Sequence, residues 1–198
     1  MCIRDSTKPV ADLRVGILTI REKWEFLLHS TTSTVTEEYL SEKWPMVELE
    51  NNVMINASYL PSENLVTLIK GITDNQAFFD GDEVIAFSVK EGQEVDFETY
   101  ECIQYTAPDI LKIAHTWDIF SKNGEAITRD YTMLTKDRVT QPIPEGVIAV
   151  NASQIFIEEG ATVHYSHLNA KDGPIYICLL YTSPSPRDLS TSRMPSSA

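Results

Sequence analysis

The chain has 198 residues, 42% of them hydrophobic, and 29 acidic against 16 basic residues give it a net charge of −13. That length holds one domain with a proper core and part of another. An acidic balance of this size repels phosphate backbones and anionic lipid, which argues against nucleic-acid and membrane binding, and no apolar run approaches the roughly 18 residues of a membrane span.

In chain order the first segment is Met1-Cys2-Ile3-Arg4-Asp5-Ser6, which ATGTGTATAAGAGACAG encodes. The reverse complement of that string, carried two bases further, translates as Cys178-Leu179-Leu180-Tyr181-Thr182-Ser183. Both match the transposon end used in shotgun sequencing libraries, and residues 184–198 fit the adjoining adapter, barcode and primer. Residues 1–6 and 178–198 are therefore expected to be adapter-derived tails that add nothing to a folded core. The biological text then runs from Thr7 to Ile177, open at both ends, with a net charge of −14 once Arg4, Arg187, Arg193, Asp5 and Asp188 are set aside. Cys102 is the single cysteine in that text, so a disulfide framework is excluded and a reducing, cytoplasmic setting is expected.

Leu13, Ile17, Ile20, Trp24 and Leu27 recur at helical spacing, and Asp12 is placed to cap that helix. Val53-Met54-Ile55 reads as a buried strand leading through a loop to Ser62, the N-cap of a helix carrying Leu65, Leu68 and Ile69, which is half of a βαβ unit. Gln76 to Phe79 and Glu83 to Val89 flank Asp80-Gly81-Asp82 as a hairpin. Ile110 to Ala114 is a further strand, and a helix is expected from Thr116 with Trp117, Phe120, Ile127, Tyr131 and Leu134 on one side. Alternating strands and helices predict an α/β domain with a layered sheet.

At residues 141–146 the texture changes to a proline-bearing linker. Ile157, Val163 and Ile175 then fall on a six-residue grid, with Asn169 on its remaining rung. A hexapeptide rhythm with Gly160-Ala161 before an apolar position suggests the first turns of a left-handed parallel β-helix, with a short β-meander as the plain alternative. The boundaries are read as an α/β domain over 7–140, a linker over 141–150 and the first β-helix coils over 151–177.

Five stretches carry a resemblance: residues 7–24, Val53-Met54-Ile55-Asn56-Ala57-Ser58-Tyr59-Leu60-Pro61, Thr116-Trp117-Asp118-Ile119-Phe120, residues 155–161 and residues 168–177. Together they resemble the sugar nucleotidyltransferase-like proteins of Bacteroidetes-type bacteria, which are related to the bifunctional N-acetylglucosamine-1-phosphate uridylyltransferase/acetyltransferase. The resemblance implies a Rossmann-like nucleotidyltransferase domain, lacking its first strand and phosphate loop, followed by a left-handed β-helix acyltransferase-like domain. It implies nucleotide-sugar synthesis, with UDP-N-acetylglucosamine as the candidate product, Mg²⁺ as cofactor, a nucleotide and a sugar phosphate as small-molecule partners, and a homotrimer through the β-helix. The alternative is a non-catalytic domain that binds a nucleotide sugar or assembles a β-helix acyltransferase.

In this frame Lys8 and Arg14 are the candidate phosphate contacts, with solvated helix-entry charge as the plain reading of both. Asn56 and Ser58 are the candidate sugar or base contacts at the carboxyl end of a strand, where open α/β sheets bind ligands. A hydrogen bond from Asn56 to its own loop is the plain reading there. The resemblance places a Gly-Asp pair where this chain has Ala57-Ser58, and a serine hydroxyl is not the anionic oxygen Mg²⁺ prefers. No metal set is read from the residues. Asp118 is the one carboxylate near a second ligand position, and it equally suits a helix dipole. The chain as it stands is therefore expected to be inactive. Arg21 and Lys23 read as facing water or pairing with Glu22 and Glu25, Cys102 as half-buried packing, and Glu37-Glu38 and Glu158-Glu159 as solvated faces. His164 and His167 lack a third ligand for a metal.

Overall fold

The computed structural model describes residues 8–179, which divide into one unit up to Asp130 and a second from Tyr131. Residues 1–7 and 180–198, which hold most of the two expected tails, lie outside the described residues. Cys178 and Leu179 are described, and the Leu179 amide donates to Glu158 Oε2 at 3.0 Å.

In the first unit the expected helix begins seven residues late. Val10–Asp12 is a single 3₁₀ turn, the chain reverses through Gly16 at φ +85°, and α1 covers only Ile20–Leu28. Thr19, not Asp12, is the cap: its side chain accepts from the Glu22 amide while the Glu22 carboxylate accepts from the Thr19 amide at 2.7 Å, a full capping box. Leu13 and Ile17 share the spacing of a helix without belonging to one.

After the short helix α2 (Glu38–Ser41) come β1 (Asn51–Ile55), β2 (Tyr59–Leu60), α3 (Glu63–Lys70), β3 (Gln76–Asp80), β4 (Glu83–Lys90), β5 (Glu101–Gln104) and β6 (Leu111–Lys112). The main sheet has the order β1-β4-β3-β5 and is mixed, since β4 runs antiparallel to both β1 and β3 while β3 and β5 are parallel. The unit β1-α3-β3 does join two parallel strands, but β4 is inserted between them. The all-parallel sheet of a simple βαβ repeat is thus replaced by a split unit. β1 consequently sits on the sheet edge, with Val53 exposed, rather than in the interior that its apolar run predicts. Ser62 caps α3 as expected, accepting from the Leu65 amide at 3.2 Å, and α3 buries Leu65, Val66 and Ile69 while Leu68 faces out. The β3–β4 hairpin closes through Gly81 at φ +62°, a backbone that glycine adopts without strain.

The helix expected from Thr116 is two pieces, α4 (Asp118–Ser121) and α5 (Asn123–Thr135). Trp117 and Phe120 are exposed, while Leu134 is buried as expected and is joined by Ala126 and Asp130. The core of the first unit gathers Val15, Ile20, Trp24, Tyr59, Leu65, Ile85, Ile113 and their neighbours. Each large side chain so enclosed contributes about 1.5–3 kcal/mol of burial. A separate edge-to-face aromatic group, Phe79, Phe87, Phe97 and Tyr100, is built on β3, β4 and the 3₁₀ turn that precedes β5.

The second unit contains β7 (Ile148–Val150), β8 (Ile155–Ile157), β9 (His167–Asn169) and β10 (Ile175–Ile177). β7 pairs in parallel with β9, Ile148 opposite His167, and β8 with β10, Ile155 opposite Ile175. Partners are therefore 19 and 20 residues apart, not the 18 of three hexapeptides. Ile157 stands opposite Ile177 instead of Ile175, and Ala170, not Asn169, is buried with Ile155, Ile157 and Val163. The turns between the strands absorb the extra residues, which is why the six-residue grid does not give the register.

Candidate functional site

Two features of the first unit hold the residues of interest: the loop from Lys8 to Thr19, and a cleft lined by α1, β1 and the segment after α1. The loop is anchored from below. Gly16 N–H donates to Asn123 Oδ1 at 2.7 Å, Ile17 N–H to Asp130 Oδ2 at 2.7 Å and Leu18 N–H to the same oxygen at 3.3 Å. Three successive amides thus converge on two side chains of α5. A Cβ on Gly16 would stand 2.5 Å from Asp130 Oδ2 and 2.9 Å from the Ala126 carbonyl carbon, so only glycine fits. Asp130 also pairs with the Lys23 ammonium, and both side chains are almost fully enclosed. Burial pushes the Lys23 ammonium below its ordinary value, against the opposing pull of Asp130. Lys23 is therefore a buried anchor and not the water-facing partner of Glu22 and Glu25.

Arg14 stands at the outer side of this loop. Its guanidinium donates to the Ile17 carbonyl, lies 3.9 Å from Glu22 and is 59% exposed. Lys8 is half-buried at the loop entry, next to the buried Pro9. Neither lines the cleft.

The cleft has a volume of about 640 Å³. Ile20, Trp24, Leu28, Ile55 and Ile69 form its apolar part, and Asn56 and Ser58 meet there beyond the carboxyl end of β1. Asn56 shapes that turn: its Nδ2 donates to the Val84 carbonyl at 3.0 Å and its Oδ1 accepts from the Ser58 amide at 3.0 Å. Ser58 in turn offers its carbonyl to the Ile113 amide at 2.7 Å. The opposite wall is the hydroxyl-rich run Ser30 to Thr34, fastened to α1 by the Thr32 amide on Glu25 Oε1 at 2.8 Å. Arg21, read from the sequence as water-facing, lines this cleft and donates to Thr34 Oγ1 at 2.5 Å. Its appearance here had a sequence signal: the Thr19 capping box fixes where α1 starts, and hence which way Arg21 faces.

Asp118 lies outside the cleft and closes the turn that starts α4. Its Oδ2 accepts from the Ala114 amide at 2.9 Å and the His115 amide at 2.8 Å, and Lys122 is 3.8 Å away. The amide bond from His115 holds its carboxyl below the usual aspartate range, with Lys122 adding to the effect against the cost of burial. Among the described residues no three His, Cys, Asp or Glu side chains come together as a metal site. A lone carboxylate committed to two amides, and a serine in the cleft, do not fit the oxygen set of Mg²⁺. Elsewhere Cys102 is exposed instead of half-buried, with its thiol 3.6 Å from the Phe97 and Tyr100 carbonyls, and His164 and His167 are both exposed. Glu158 is not a solvated face: it binds Tyr176 and, at 3.0 Å, Arg138.

Among the described residues no helix is long and apolar enough to cross a membrane. Neither the curated proteins nor the solved structures yield a match to this chain. The sequence profile of the sugar nucleotidyl transferase family matches residues 6–139, a span that takes in the Gly16 loop, the cleft and the Asp118 turn. With two thirds of its length inside that match and a mixed α/β unit beneath it, the chain belongs to the sugar nucleotidyl transferase family.

Proposed function

We propose that this chain is part of a sugar-1-phosphate nucleotidyltransferase-like protein of nucleotide-sugar synthesis, and that the cleft beside β1 takes the nucleotide sugar, with UDP-N-acetylglucosamine as the first candidate. The observation that carries this reading is the meeting of Asn56 and Ser58 in one 640 Å³ cleft at the carboxyl end of β1. Family membership supports the reaction class: a sugar-1-phosphate oxygen attacks the α-phosphorus of a nucleoside triphosphate and pyrophosphate leaves. Catalysis of that type rests on positioning and on cations facing the phosphates. Lys8 and Arg14 are the cations proposed for that task. Arg14 is carried by a loop whose amides are fixed by Asn123 and Asp130, so it starts from a defined backbone position.

A second reading is favoured by Ser58. With a hydroxyl in place of a metal-binding carboxylate, the cleft suits binding without turnover, as in a domain that recognises a nucleotide sugar and supports an attached acyltransferase. Isothermal titration with UDP-N-acetylglucosamine, together with a pyrophosphate-release assay on UTP and N-acetylglucosamine 1-phosphate, separates the two. Binding without pyrophosphate release is the expected result for the chain as it stands. Mg²⁺-dependent release after Ser58→Asp would assign the defect to that position, whereas robust release by the unaltered chain would overturn the roles given to Ser58 and Asp118.

For the second unit the proposal is the opening coils of a left-handed parallel β-helix of the acyltransferase type. Support comes from the two parallel pairs: β7 and β8 each meet the strand one circuit further on, and Ile155, Ile157, Val163 and Ala170 fill the space between. A trimer through such a helix and a cytoplasmic setting remain part of the same proposal.

A further inference from the structure

We infer that Arg21 is the phosphate-contacting residue of the cleft, and that the cleft is built for the single phosphate of a sugar 1-phosphate, not for a triphosphate. The inference rests on the cleft being the nucleotide-sugar site proposed above. Among the described residues that line it, Arg21 is the only one with an ionised side chain. The rest of the lining divides into an apolar part that includes Trp24 and a polar part of hydroxyls and carboxamides, among them Ser30, Thr32, Ser58 and Asn56. One cation facing a wall of neutral hydrogen-bonding groups matches one anionic group on a polyhydroxy ligand. A triphosphate carries several charges and would leave most of them unmatched here.

The guanidinium is held but not used up. Its Nη2 donates to Thr34 Oγ1 at 2.5 Å. Its Nε lies 2.9 Å from Asp12 Oδ1, yet the N–H does not point along that line and makes no hydrogen bond. Nη1 has no acceptor among the described residues and is not one of the enclosed, unpartnered atoms. The side chain is 22% exposed, so an anion arriving there meets a planar, partly desolvated donor fork, where a charge-assisted bond is stronger than in open water. Asp12 fixes the head group from the side and offsets part of its charge, which again favours one phosphate over three. Trp24 in the apolar wall is oriented by its own hydrogen bond from Nε1 to the Tyr59 carbonyl at 3.0 Å.

The test uses the full chain and three probes by titration calorimetry and ligand-observed NMR: N-acetylglucosamine 1-phosphate, free N-acetylglucosamine and UTP. Arg21→Gln should weaken the sugar phosphate at least about tenfold while leaving the free sugar unchanged. Arg21→Lys, which keeps the charge and removes the fork, should fall between. Lys90→Gln, an equal charge change on β4, should have no effect, and a thermal melt of each variant checks that it folds. Undiminished sugar-phosphate binding by Arg21→Gln, or equal losses for the free sugar, would overturn the inference. So would UTP competing at the site more strongly than the sugar phosphate. If UDP-N-acetylglucosamine fails to bind while the sugar phosphate binds through Arg21, the wider reading of the cleft falls and the role of Arg21 stands.

Discussion

At Asp130 one carboxylate oxygen serves two amides and an enclosed ammonium. Asp130→Asn would leave Lys23 charged without a counter-ion in a nearly closed site. We predict a loss of about 3 kcal/mol in chemical denaturation, since removing one partner of a buried pair exposes the full desolvation cost of the other. The exposed pair of Lys90 with Asp74, 2.6 Å apart, provides the contrast: Asp74→Asn should leave the denaturation midpoint unchanged, because solvent screens the pair. Equal losses at the two positions would show that enclosure is not what makes Asp130 important. Gly16→Ala should also destabilise, by about 2 kcal/mol, because a left-handed φ and a contact with the Ala126 backbone act together. In circular-dichroism melts that variant should stand apart from Gly124→Ala, where a Cβ meets no neighbour within 4 Å.

Among the elements, β8 and β10 are joined by more than their ladder. Phe156 stacks on Tyr176 with centroids 5.4 Å apart, and Glu158 receives Tyr176, Arg138 and the Leu179 amide. Burial alone would raise the Glu158 carboxyl, but the bonds from Tyr176, Leu179 and Arg138 outweigh it and hold the carboxyl below its ordinary value. A depressed carboxylate adds stability above the unfolded value, near 4.5, and that stability is lost as pH falls through the folded value. The thermal midpoint of the native chain should therefore exceed that of Glu158→Gln at pH 6, and the gap should close toward pH 3. A gap independent of pH would mean that Glu158 acts by shape and not by charge. The edge strand β1 follows a different logic: its value lies in the turn it delivers, where Asn56 ties β1 to β4 through the Val84 carbonyl and sets the Ser58 amide.

For the whole molecule, the two sets of clustered buried residues lie between Val10 and Ile177, and among the described residues neither draws a side chain from the expected tails. Removing residues 1–6 and 180–198 should leave the urea midpoint unchanged. A drop of more than about 1 kcal/mol would be large on the scale of domain stability and would show that those residues pack. The net charge of −13 sets a second expectation: an anionic small molecule must find local donors, since the global field opposes it. That is the role assigned to Arg21 and, on the loop, to Arg14.

The sequence by itself determined the elements whose cause is local. Ser62 caps α3 and Asp80-Gly81-Asp82 closes a hairpin because each effect lies within four residues. The Thr19-to-Glu22 capping box is equally local, and it sets the start of α1 at Ile20. The family was legible too, because a long block such as residues 7–24 carries identity directly. Tertiary structure alone decided the rest. Gly16 breaks the apolar period of Leu13 and Ile17 because its turn is held by Asn123 and Asp130, more than a hundred residues away. Insertion of β4 put Val53-Met54-Ile55 on an edge, and turn length, not the hexapeptide count, set Ile155 opposite Ile175. Periodicity records which side chains avoid water. Which backbone or side chain receives them depends on partners distant in the chain, and those exist only once it has folded.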